Sequence, residues 1–115
     1  MSIATTTKPA SIAAFPAAEV EACLRVELLH AVESAAALKG EQMPSGLEAQ
    51  LTMPTQIDSL VVVELLFAVE PIVDFALKDT VVRAGGYRSI IEAVGHLIPR
   101  IEKEWQKHKS KGGKK

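Results

Sequence analysis

Aromatic residues are scarce in this chain: three Phe, one Tyr and one Trp make up 4% of 115 residues. A core must therefore be built from aliphatic side chains. Stacking on nucleic-acid bases has no platform, because Trp105 stands alone in the one basic stretch. A single cysteine, Cys23, excludes an intramolecular disulfide and fits a reducing compartment. No apolar run reaches the ~18 residues of a membrane span, since Glu64, Glu70 and Asp74 interrupt the longest one. Residues 1–15 lack a charged head followed by an apolar stretch, so no secretory signal is expected and a cytoplasmic location is. No run alternates apolar and polar residues between turn signals, which argues against strands. Metal-ligand spacing is missing among His30, His96, His108 and Cys23. No Gly-rich phosphate loop follows a strand, and Gly85-Gly86 reads as a turn.

What the chain does have is 48% hydrophobic residues, enough for one small domain. Its net charge of −1 conceals an asymmetry. Residues 1–98 hold 6 Lys or Arg against 12 Asp or Glu, whereas residues 99–115 hold 7 against 2. An acidic body points to basic protein partners and away from nucleic acid. Three regions are expected: a flexible segment over residues 1–15, a helical domain over 16–106, and a basic disordered tail over 107–115 with no apolar side chain to dock.

Helical periodicity dominates the domain. A first helix should open near Pro16, with Val20, Leu24, Leu28, Ala31, Ala35 and Leu38 as its apolar stripe and Gly40 as its stop. Cys23 borders that stripe and reads as core packing. Residues 40–57, with Pro44, Gly46 and Pro54, form a long connection that can tuck Leu47, Leu51 and Met53 over the core. The second helix should run from Ser59 into the mid-70s. Its buried face is expected to comprise Leu60, Val63, Leu66, Phe67 and then Ile72 or Val73, with Pro71 kinking it or ending its regular part. Ser89-Ile90-Ile91-Glu92 reads as a capping box opening the last helix. The fold class is therefore all-α: a small bundle of three main helices, one short extra helix and a long first loop.

The stretch with chemical meaning is Asp58-Ser59-Leu60 and the helix it opens, Val61 to Glu70. A serine at a helix start offers its hydroxyl beside free backbone N–H groups and the positive helix end, where an esterified phosphate is stabilised. The apolar helix that follows carries Glu64 and Glu70, and Val61, Val62, Leu65 and Val69 leave little of its circumference polar. Asp58 to Glu70 resembles the prosthetic-group site of the acyl carrier protein family, and Ser89 to Val94 is similar to that family's last helix. The likeness spans roughly residues 16–100.

The resemblance implies a carrier-protein-like bundle and a phosphopantetheine arm, taken from coenzyme A, on Ser59. Asp58 would assist recognition by a phosphopantetheinyl transferase, and Leu60 would pack into the bundle. Leu60, Val61, Glu64, Leu65 and Glu70 would make up the surface read by enzymes that load and transfer an acyl or aminoacyl group. The chain departs from the family at Thr55-Gln56-Ile57, where a leucine and a glycine usually precede the triplet, and at Val61, often an acid. Dedicated partners therefore fit better than the general fatty-acid machinery. A hydrolase built on Ser59 would need a base and an oxyanion site, and the sequence assembles neither, so the protein is not expected to be an enzyme. The competing expectation is an unmodified helical interaction module that forms a homodimer through its apolar second helix.

Overall fold

The computed structural model describes residues 14–113. Among them are four α-helices and one 3₁₀ turn: α1 (Ala17–Lys39), α2 (Leu47–Thr52), α3 (Ser59–Val73), the 3₁₀ turn (Asp79–Val81) and α4 (Ile90–Gly113). The all-α expectation holds. α1 packs against both α3 and α4, and the short α2 closes over α1 and α4. The core these helices enclose is aliphatic, with Tyr87 its one fully buried aromatic ring.

α1 starts at Ala17, with Pro16 just outside it. Gly40 ends it as expected, left-handed at φ 73°: its N–H bonds Ala37 O and the Glu41 N–H bonds Ala36 O. The buried stripe, however, is Val20, Leu24, Leu28, Val32 and Ala36. Ala31, Ala35 and Leu38 do not continue it, and Leu38 is 90% exposed. Steps of four residues advance about 40° beyond a full turn each time, so the stripe winds around the helix. Such a winding face suits a helix that meets two others. Cys23 packs as expected, half-buried, with its Sγ 3.5 Å from Ala68 O of α3.

α3 ends at Val73, within the expected range, and contains Pro71 in its last turn. Asp74, at φ 68°, closes it with an N–H bond to Glu70 O. Its buried face corrects the sequence expectation: Val62, Leu65, Leu66, Val69 and Val73 point inward, while Leu60 and Phe67 are 70% and 66% exposed. The observed set repeats at three and four residues, as one face of a helix must. The competing set repeats equally well, and only packing against the rest of the bundle selects between them.

The basic end is also corrected. α4 runs through Pro99 and on to Gly113, so the tail expected to be disordered from residue 107 is helical across that span. Local contacts support the helix. Lys107 meets Glu104 at 3.6 Å, His108 stacks on Phe75 with ring centres 4.7 Å apart, and Lys109 stands 5.7 Å from the Trp105 ring. Phe15, assigned to the flexible leading segment, packs edge-on against Trp105 at 5.8 Å. Residues 1–13 and 114–115 of the two expected flexible regions lie outside the described residues.

Candidate functional site around the start of α3

Asp58 is the N-cap of α3. Its backbone is extended, and its Oδ1 accepts the Leu60 N–H at 3.1 Å. Ser59 is consequently the first helical residue and is not the cap. Among the described residues its hydroxyl, half-buried at the domain surface, makes no hydrogen bond. A hydroxyl spared from capping is available for esterification, next to the positive end of a 15-residue helix.

Three backbone hydrogen bonds fix the approach to this turn. Ile57 and Tyr87 exchange N–H···O bonds of 2.8 and 2.9 Å, and Thr55 N–H reaches Arg88 O at 2.8 Å. The pair forms an isolated antiparallel bridge that ties the residues before α3 to those before α4. Gly86 sits flush against this bridge. A Cβ there would lie 1.9 Å from Ile57 O and 3.2 Å from Ser59 N.

Tyr87 anchors the bridge from below. Its buried hydroxyl accepts the Arg83 N–H at 2.9 Å and lies 2.7 Å from His96 Nδ1, while the Arg83 guanidinium covers its ring at 4.7 Å. The Tyr87 hydroxyl and His96 Nδ1 share one hydrogen bond, whose donor is set by the imidazole tautomer. Burial raises the Tyr87 pKa above 10.0, opposed by the Arg83 N–H and by the charges of Arg83 and Arg100. Burial likewise lowers that of His96 below 6.5, and Arg100 and Arg83 push in the same direction. Glu92 completes the group. Its carboxylate accepts the Arg88 N–H at 2.7 Å and pairs with Arg83 at 3.0 Å, and these two contacts, in that order, lower its pKa. The Ser89 cap is present too, with Ser89 Oγ accepting the Glu92 N–H at 3.1 Å. The glutamate reaches back to Arg88 in place of Ser89.

The residues singled out in the sequence separate into three groups. Asp58 and Ser59 occupy the turn itself. Leu60 and Glu64, together with Phe67 and Pro71, recur along the outward face of α3, so Leu60 does not pack into the bundle. Val61, Glu64 and Leu65 line a shallow groove of about 320 Å³ against Glu27, His30, Ala31 and Ser34 of α1. Leu65 is nevertheless buried at its floor, which removes it from any outward surface. Glu70 has a local partner: its Oε2 accepts the Leu77 N–H at 2.8 Å, holding the chain as it leaves α3.

Sequence reasoning passed over the 83–88 loop and its link to Ile57. The available signal was a Gly-Gly pair directly before the chain's single tyrosine. No helix among the described residues is long and apolar enough to cross a membrane. No three His, Cys, Asp or Glu side chains among them gather as a metal site. No protein-family model matches the chain, and neither a curated protein nor a solved structure matches it.

Proposed function

We propose that the protein is an acyl carrier protein whose Ser59 hydroxyl is the attachment point for phosphopantetheine. The observation that carries this reading is the turn itself. Asp58 takes the capping role, which leaves Ser59 Oγ without a hydrogen bond among the described residues, at the helix start where a phosphodiester is favoured. The hydroxyl would displace 3′,5′-ADP from coenzyme A, forming the Oγ–P bond while its proton passes to a base of the separate transferase. Once attached, the arm supplies a thiol that holds an acyl or aminoacyl group as a thioester. The chain's own residues contribute an address and no catalysis.

Partner enzymes would meet the outward face of α3. Leu60 and Phe67 offer apolar contact there, and Glu64 offers a charge between them, complementary to a basic surface. Glu70, engaged with Leu77, and the buried Leu65 support that face from behind. Dedicated cytoplasmic loading and transfer enzymes are the partners this reading implies.

The exposed Leu60 and Phe67 also favour a second reading, an unmodified module that dimerises through this face. Mass spectrometry of protein produced with a broad-specificity phosphopantetheinyl transferase separates the two. The expected result is the phosphopantetheine mass on Ser59 and none on a folded Ser59→Ala variant. An unmodified Ser59, with a dimer in solution that Phe67→Glu dissociates, would replace the carrier reading with the module.

A further inference from the structure

Beside the Ser59 turn, Gln56, Arg83, Arg88, Glu92 and the Gly85–Gly86 backbone line a polar cavity of about 380 Å³. Gly86, whose backbone lies against Ile57 and the Ser59 N–H, gives the cavity and the first turn of α3 a common wall. Arg83 is held in place there from three directions. Its Nε–H donates to Gly86 O at 3.2 Å, its Nη2 pairs with Glu92 at 3.0 Å, and its flat face rests on Tyr87. A guanidinium carries five N–H donors, and these contacts use two. The remainder are fixed in orientation and make no hydrogen bond among the described residues.

Arg88 adds a second guanidinium, which makes no ion pair or side-chain hydrogen bond among the described residues. Glu92 supplies one negative charge against these two positive ones, so the wall keeps a net positive charge. One arginine fork satisfies a carboxylate. Two guanidinium groups on one cavity suit the additional oxygens of a phosphate.

We propose that this cavity binds a phosphate ester, with Arg83 as its fixed ligand and Arg88 as its adjustable one. Two sources share that chemistry. One is the phosphodiester formed on Ser59, an assignment that rests on the carrier reading. The other is a phosphate of the coenzyme A donor. The preference of the cavity for a phosphate depends on neither.

The test titrates full-length Ser59→Ala protein, which cannot be modified at that residue, with pyrophosphate, and with pantetheine as a phosphate-free control. Amide chemical shifts of residues 83–88 report binding. Saturable shifts with pyrophosphate and none with pantetheine are expected, with Arg88→Gln weakening binding about fivefold, the effect of about 1 kcal/mol. Its melting temperature should be unchanged, because the Arg88 side chain is exposed. In protein modified at Ser59, the ³¹P resonance of the diester is then compared with and without Arg88→Gln. A displaced resonance assigns the cavity to the arm. An undisplaced one, with pyrophosphate binding intact, assigns it to the donor. Equal pyrophosphate affinity in both arginine backgrounds overturns the proposal. So does the lack of saturation at concentrations on the order of 10 mM together with an undisplaced ³¹P resonance. If Ser59 is never modified but pyrophosphate binds as described, the carrier reading fails and the phosphate site stands.

Discussion

Replacing Gly86 by alanine should damage the site far more than the same change one residue earlier. Both glycines are left-handed, Gly85 at φ 90° and Gly86 at φ 82°, so either alanine incurs about 1–2 kcal/mol of backbone strain. There the likeness ends. A Cβ on Gly85 meets nothing within 4 Å, whereas one on Gly86 would overlap Ile57 O at 1.9 Å and that carbonyl's carbon at 3.0 Å. Those atoms are backbone and cannot rotate away. The loop must retreat, which opens the Ile57–Tyr87 pair of hydrogen bonds at about 0.5–1.5 kcal/mol each. The two variants should then differ by about 1–3 kcal/mol, or roughly 5–20 °C in melting temperature for a domain of this size. Thermal melts followed by circular dichroism measure the gap, and urea melts give it independently. Modification of Ser59 should slow in Gly86→Ala and not in Gly85→Ala, because only the former moves the turn. Equal destabilisation by the two alanines would refute the claim that close approach at Ile57 holds the Ser59 turn.

The low pKa of His96 makes stability pH-dependent in a defined direction. The unfolded chain takes up that proton first, so stability is complete above about pH 6.5 and declines as pH falls from there through the folded pKa. Urea midpoints on either side of that window should show the slope, and His96→Gln should remove it. Glu70→Ala, which strands the Leu77 N–H, should cost about 1–3 kcal/mol in a denaturant melt, against a change within ~0.5 kcal/mol for Glu64→Ala. Glu64→Lys should instead slow loading at low salt and much less at high salt, as expected of an exposed charge screened within ~10 Å at 0.1 M. Truncation after Gln106 removes His108 from Phe75 and should cost about 0.5–1.5 kcal/mol while leaving Ser59 modification intact; in a Phe75→Ala background that cost should shrink to what the Lys107–Glu104 and Lys109–Trp105 contacts contribute.

The parts of this molecule that could be read from the sequence are those specified within one or two turns of chain. The Gly40 stop, the Ser89 cap and the Asp58-Ser59 helix start each depend on neighbours a few residues away, and each is found where local rules put it. The helical tail departs from its compositional reading for a reason of the same kind at longer range. Lysines judged unable to dock continue an established helix, whose next turn adds one hydrogen bond per residue without a new nucleation cost. His108 then meets Phe75, 33 positions away, a partner no local pattern identifies.

The facing of α3 was hidden for a different reason. A helix apolar on nearly every side offers two acceptable stripes, one through Val62, Leu66, Val69 and Val73 and one through Leu60, Val63 and Phe67. Periodicity cannot rank them. Position can: Cys23 of α1 reaches Ala68 O, α1 shares a groove with Val61, Glu64 and Leu65, and Val62, Leu66, Val69 and Val73 fall in the core, so the surplus apolar residues are turned outward. The exposure of Leu60 and Phe67 is thus a consequence of where α1 lies, with no additional sequence signal required. Their outward orientation also puts two large apolar groups on the same helix as Ser59, the first of them immediately after it. A partner docking on Leu60 and Phe67 would be brought to Ser59 by the same helix.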